Sequence, residues 1–312
     1  MKMNKKKALT GSIACILTVG TLMGGAVSAS AESIDTYSAS GYTATAFSRA
    51  ERKLALSTVY NKSVYAYSRT AAYIRGAKLS VSAIRINGKD YLPFRAAANA
   101  LGASYSYDSK TKTSVMRVSG LVMSATDGNY AVMANDRPLF AMTPTVIMSD
   151  GRMYIPAEAF CKATGLSFST GGSAVNLTGS VKPLAAASKY YREDEVFWLA
   201  RIIHAESSGE PLIGKIAVGN VVLNRVRSAY YPNTIYGVIF DRKYGVQFSP
   251  VSNGAIYNTP SYASYLAAKI CLEGFDLSEG AFFFLRPEHS TSSWIPDSRE
   301  YIFTIGKHDF YK

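Results

Sequence analysis

Histidine and cysteine are scarce in this chain: three of each among 312 residues. His204, His289 and His308 stand far apart and no HExxH pattern occurs, so the clustered ligands of a zinc hydrolase are missing. No metal or cofactor is expected. Cys15 falls in the N-terminal apolar run, leaving Cys161 in "EAFCKATG" and Cys271 in "LAAKICLEG". Both stretches have apolar helical patterns, so these cysteines read as buried free thiols. A thiol in such a setting is a poor nucleophile, which argues against a cysteine peptidase. Acidic residues number 22 against 34 basic ones. Beyond the N-terminus no stretch approaches the ~18 uncharged apolar residues of a membrane helix.

That N-terminus has its own plan. Four lysines precede an apolar core that ends at Ala29-Ser30-Ala31, as in a secretory signal peptide cleaved after Ala31. Residues 1–31 are read as that signal, and membrane contact is expected through it alone. The formal charge is +12, and the four leader lysines carry four of it, leaving +8. A basic exported chain is attracted to polyanions, and in a bacterium the nearest are cell wall polymers. Export argues against nucleic acid. The expected location is outside the cytoplasm, secreted or in the wall of a Gram-positive-type bacterium. At this length two domains are expected.

The first half contains a repeat. "NGKDYLPFRAAANALGASYSYD" aligns with "DGRMYIPAEAFCKATGLSFSTG" at a constant offset of 63, pairing Tyr91 with Tyr154, Pro93 with Pro156 and Gly102 with Gly165. Each copy opens on an Asn-Gly or Asp-Gly turn and continues into a short strand ended by Pro. An amphipathic helix closed by Gly and another strand follow. Two strand–strand–helix–strand units form an α+β domain over 58–178, after a polar leader at 32–57. The pattern resembles the copper amine oxidase N-terminal-like domain of exported proteins. That resemblance implies a small accessory module, either a spacer or a wall- or partner-binding unit. The segment contains no histidine, so a copper site there is chemically implausible. "GSVKPLAAASK", 179–189, reads as a linker.

A second domain is expected over 190–312. "REDEVFWLARIIHAE" is helical, with Glu193, Asp194 and Glu195 in its first turn, where they complement the dipole. Val196, Leu199 and Ile203 form an inward stripe. Glu206 follows Ile203 by three residues and Leu199 by seven, which places it on the same stripe. An inward carboxyl is costly unless it is paired or opens into a cleft, and burial raises its pKa towards what a general acid needs. The residues alone leave a catalytic acid and a helix-end ion pair both open. Glu210-Pro211 starts the next helix, "LIGKIAVGNVVLNRVRS", apolar almost all round and hence central. Gly219 within it implies close contact with another backbone. Asn220 and Asn224 share a face as structural hydrogen bonders. "YGVIFDRKYGVQFSPVSNGAIYNTP" reads as hairpins and loops, in which Gln247, Phe248 and Asn253 offer two amides and an apolar plate to a sugar. "GAFFFLRP" reads as a buried strand, "REYIFTIGKHDFYK" as another, and Trp294 between them as a sugar-stacking or core residue.

"LARIIHAESSGEPLIGKIAVGNVVLNRVRS", "YPNTIYGVIF", "QFSPVSNG" and "WIPDS…IGKHDFYK" together resemble the SleB/CwlJ family of cell wall hydrolases, which includes spore cortex-lytic enzymes. The resemblance spans 190–312. It implies a lysozyme-like, mainly helical fold with a small β region, acting on peptidoglycan glycan strands, and places the catalytic glutamate at Glu206. The Glu206-Ser207 pair is similar to the lytic transglycosylase signature. The implied reaction cleaves the bond between N-acetylmuramic acid and N-acetylglucosamine and leaves 1,6-anhydro ends. The alternatives are a hydrolytic muramidase, an N-acetylmuramoyl-L-alanine amidase and a non-catalytic wall-binding protein. Phe282-Phe283-Phe284 departs from the tyrosines of many relatives, and the family's usual wall-binding module is absent.

Overall fold

The structure, a computed structural model, describes residues 66–312 except 172–173, 244 and 291–292. The signal peptide expected at 1–31, the leader at 32–57 and the start of the first domain lie outside the described residues.

Thirteen strands and two helices come first: β1 Tyr67–Ile74, β2 Ala77–Lys78, β3 Ala83–Ile86, β4 Lys89–Pro93, α1 Phe94–Ala100, β5 Ser104–Asp108, β6 Thr113–Val118, β7 Leu121–Thr126, β8 Ala131–Ala134, β9 Arg137–Phe140, β10 Val146–Ile147, β11 Met153–Pro156, α2 Ala157–Thr164, β12 Ser167–Gly171 and β13 Ala174–Thr178. They build an eight-stranded sheet in the order β10-β11-β4-β3-β1-β13-β12, with β2 on β1, and a five-stranded meander β5-β6-β7-β8-β9. Only β1 and β13 pair in parallel within these sheets. Asn87 and Gly88 both have positive φ, 49° and 78°, as a two-residue type I′ hairpin requires. Pro93 and Pro156 end their strands where α1 and α2 begin. Strand β5 is the expected last strand of the first unit, and β6–β9 of the meander are an addition to the expected strand–strand–helix–strand units.

The second half holds α3 Ala187–Tyr190, α4 Glu193–Ser207, α5 Leu212–Arg227, α6 Ile235–Ile239, α7 Ser249–Asn253, α8 Tyr262–Leu272, β14 Phe283–Leu285, α9 Trp294–Ser298, β15 Tyr301–Ile305 and β16 His308–Tyr311. Helices α4, α5 and α8 enclose a core of Leu199, Ile203, Ile216, Val222, Leu266 and Ile270. A small sheet, β14-β16-β15, flanks α5 through Val218, Val221 and Phe310. Four expectations change here. The terminal stretch is a hairpin turning at Gly306, not one strand. The 235–257 region forms one-turn helices and loops instead of hairpins. Strand β14 is only partly buried, because it borders a cleft. A Cβ on Gly219 would meet side chains, Cys271 Sγ at 2.7 Å and Ile203 Cδ1 at 2.8 Å, so the close contact there is not with backbone. Asn220 and Asn224 do hold structure: Asn220 bonds Phe275 O and Leu277 N, and Asn224 bonds Ser278 Oγ and Ala281 O. Cys161 and Cys271 are buried free thiols, and burial pushes Cys161 up to about 12.

The expected linker is strapped down. Lys182 N donates to Thr164 O, Leu184 N to Ala163 O and Asn135 Nδ2 to Leu184 O. Gly165 permits this approach, since a Cβ there would lie 2.5 Å from Lys182 O. The two halves also share apolar packing, with Phe140 against Phe275 at 4.5 Å between ring centroids. Beside it lies a buried ionic cluster. Arg137 makes a two-pronged pair with Glu273 at 2.6 and 2.9 Å, Tyr191 Oη donates to Glu273 at 2.6 Å, and Lys162 lies 3.4 Å away.

Candidate active site

Helix α4 carries Glu206 into the floor of a cleft of about 890 Å³. Its inward stripe, Leu199 and Ile203, is fully buried, and the helix stops at Ser207, where Glu210 N donates back to Ser207 O. The last inward position therefore falls where the core opens. Glu206 is partly buried and has no hydrogen-bond or ion-pair partner among the described residues. Burial pushes its pKa up to about 7, against an opposing pull from the Arg225 guanidinium. A carboxyl with that value is protonated for a large part of the population near neutral pH, as a general acid must be.

Three of the other expected residues line the same cleft. Gln247 lies at its side with Nε2 turned to Gly245 O. Phe248 is 3% exposed and serves both core and cleft. Trp294 is 53% exposed at the rim, edge-on to Phe283 at 5.8 Å. Asn253 is not among the lining residues. Its Oδ1 accepts from Ala255 N at the end of α7, so it closes a helix instead of facing the cleft. Ser207 also turns away, donating its hydroxyl to Ile203 O at 2.5 Å.

Arg225, Tyr230, Tyr231, Asp241, Phe283 and Arg299 also line the cleft, and the sequence motifs did not point to them. Tyr230 is 86% exposed, and Arg299 lies over the rings of Phe283 and Trp294 at 4.6 and 5.0 Å. Asp241 and Arg299 had no sequence signal. Arg225 had one: a cation three and four residues after buried Val222 and Val221 on an apolar helix.

The second acid of the motif has a different role from Glu206. Glu210 is 4% exposed, accepts from Lys307 N at 3.0 Å and approaches His308 Nδ1 at 3.6 Å. A Cβ on Gly306 would collide with its carboxylate. Glu210 therefore pins the β15–β16 turn to the start of α5. The histidines occupy three separate surroundings: His204 beside Ser261 and Ser264, His289 on the surface and His308 beside Glu210. Residues 73–178 hold no histidine and a single buried thiol, which does not fit a copper ion.

A family described as Cell Wall Hydrolase matches residues 209–311, beginning three residues past Glu206, and one described as Copper amine oxidase N-terminal domain matches 73–178. A spore cortex-lytic enzyme of Bacillus cereus is 39% identical over 122 residues, covering 39% of this chain and 46% of the relative. That of Halalkalibacterium halodurans is 38% identical over 120 residues, covering 38% and 35%. The chain thus spans about half or less of the length of these curated relatives. The solved catalytic domain of the germination-specific lytic transglycosylase SleB from Bacillus anthracis is 39% identical, covering 39% of this chain and 97% of that one, with a TM-score of 0.36. Residues 209–311 thus match the cell wall hydrolase family, and residues 73–178 ahead of them match the copper amine oxidase N-terminal domain.

Proposed function

We propose that this chain is an exported peptidoglycan-cleaving enzyme that acts as a lytic transglycosylase, with Glu206 as its single acid and base. The observation that carries this reading is a carboxyl with no hydrogen-bond or ion-pair partner among the described residues, at the floor of an aromatic-lined cleft and with its pKa raised to about 7. Protonated Glu206 donates to the oxygen between N-acetylmuramic acid and N-acetylglucosamine. The bond from the anomeric carbon to that oxygen breaks, and the leaving sugar keeps the proton. The C6 hydroxyl of the muramoyl residue attacks the anomeric carbon, and its proton passes to the Glu206 carboxylate. A 1,6-anhydro ring forms, no water is consumed and Glu206 is restored. Phe248 and Trp294 offer apolar faces to the sugar rings, and Gln247 an amide.

The names of the relatives favour spore cortex peptidoglycan as the substrate, and the net basic charge suits anionic wall polymers as a secondary attraction. A second reading, hydrolysis of the same bond, draws on Asp241, a further carboxylate in the cleft. We divide the chain into a signal at 1–31, a leader at 32–57, an accessory domain at 58–178 and a catalytic domain at 190–312, lysozyme-like in fold. The offset of 63 supports duplication in the accessory domain: β3, α1 and β5 begin 63 residues before β10, α2 and β12. No described helix is long and apolar enough to cross a membrane.

The test is wall clearing by residues 32–312 on cortex and on vegetative peptidoglycan, with Glu206→Gln alongside. The wild-type chain should clear cortex, and the variant should lose about 10³-fold or more in rate, the order of a removed acid–base group. Clearing by the variant at the wild-type rate would remove Glu206 from the chemistry.

A further inference from the structure

The mechanism leaves one feature of the cleft unexplained. Arg225, in the last turn of α5, is 4% exposed. Its Nε donates to Phe282 O at 2.8 Å, and its guanidinium carbon lies 5.2, 5.0 and 5.4 Å from the ring centroids of Tyr231, Phe248 and Phe283. Its Nη1 is buried and has no hydrogen-bond partner. Among the described residues no carboxylate forms an ion pair with it. Burying a guanidinium without a counter-charge is costly, and an apolar side chain of similar length would fill the same space with less penalty. Native structures seldom leave such an atom unmatched without a functional reason.

Arg225 and Glu206 line one cleft and interact electrostatically, each carried there by the end of a helix in the same core. We propose that Arg225 is the counter-charge of the reaction, its unpartnered Nη1 held for the carboxylate that Glu206 becomes once it has given up its proton. The proposal rests on the reading of Glu206 as acid and base. In the protonated resting form Glu206 is neutral and the guanidinium waits. After proton transfer the carboxylate and guanidinium attract, which favours the charged intermediate state. When the C6 hydroxyl returns its proton to Glu206, the attraction ends. Arg225 is thus a positioning residue that acts through Glu206.

The other titratable groups facing the cleft are Tyr230 and Tyr231 from the loop after α5, Asp241 from the loop after α6, and Arg299 past α9. Asp241 lines the same cleft and supports the charged form of Arg225 without forming an ion pair with it. Arg299 is exposed and engaged with the rim rings, which leaves Arg225 as the buried cation of the described lining.

The experiment is an NMR titration of the Glu206 side-chain carboxyl in carbon-13-glutamate-labelled chain, assigned with Glu206→Gln. It is repeated in Arg225→Met, Arg225→Gln and Arg225→Lys. Losing the cation removes support for the ionised form, so the midpoint rises by about one pH unit or more in the Met and Gln variants, tenfold in the ionisation constant. It returns to within about half a unit of wild type in the Lys variant. The alkaline limb of kcat/KM on peptidoglycan moves by the same amount. Gln can still bond Phe282 O, so it serves where Met does not fold. An unmoved midpoint in a folded Met or Gln variant overturns the pairing and leaves Arg225 a packing residue. The titration needs no substrate, so its outcome does not depend on turnover. A wild-type chain that leaves glycan intact instead overturns the functional reading.

Discussion

In the proposed mechanism the surroundings of Glu206, instead of a second acid, set its carboxyl to the role of acid and base. Its value near 7 means that the proton-donating form dominates below pH 7 and is lost above it. Cleavage should therefore be full on the acidic side and fall about tenfold per pH unit above 7, read from kcat/KM against pH. The same group has a stability consequence of fixed sign. Its folded pKa lies above the ordinary 4.5, so the folded state binds the proton more tightly, and stability falls as pH rises from about 4.5 through about 7. Glu206→Gln should be more stable than wild type at pH 9, by up to about 3 kcal/mol, and little different at pH 4. Denaturant unfolding at the two pH values checks this, and equal differences at both would contradict it. Glu206 was legible in the sequence because helix period alone put it on the stripe of Leu199 and Ile203. Arg225 was not legible, since a lone cation on an apolar helix is also how an exposed position looks. Asn253 misled because an amide in a polar loop bonds its own backbone as readily as a ligand.

At the scale of elements, α4, α5 and α8 were readable from their apolar helical patterns, α4 also from its first-turn acids, and their observed spans follow that reading closely. The meander was not. "TSVMRV", "LVMSAT" and "AVMA" are short, rich in small or flexible residues and only weakly alternating, so their pairing is decided by neighbours distant in sequence. The terminal hairpin was merged into one strand because its turn, Gly306-Lys307, depends on Glu210, 97 residues upstream. Its dependence on Glu210 gives a prediction. Glu210→Ala leaves the part-buried Lys307 N–H without its acceptor and the buried His308 without the carboxylate 3.6 Å away, and should cost about 1–3 kcal/mol of stability. Below the melting transition its pH profile should keep the wild-type alkaline limb. A displaced limb would give Glu210 a part in the chemistry.

Across the whole molecule, the first and second halves pack against one another around Glu273. Arg137 and Lys162 from the first half and Tyr191 at the junction converge on that carboxylate, beside the shared contact of Phe140 with Phe275. Small residues and proline mark 179–189 as a loop, but composition does not tell a free loop from a strapped one. Glu273→Gln leaves the buried Arg137 and the partly buried Lys162 short of a counter-charge and should cost about 3–5 kcal/mol, measured by chemical denaturation. A loss below about 1 kcal/mol, the range of an exposed pair, would mean that the halves do not depend on it. The measurement that bears most directly on the central claim is mass spectrometry of the muropeptides released from purified cortex peptidoglycan by residues 32–312. The lone partnerless glutamate predicts 1,6-anhydro-muramic ends that disappear in Glu206→Gln. Reducing muramic ends without anhydro product would contradict internal attack and move the chemistry to hydrolysis, with Asp241 as the second acid.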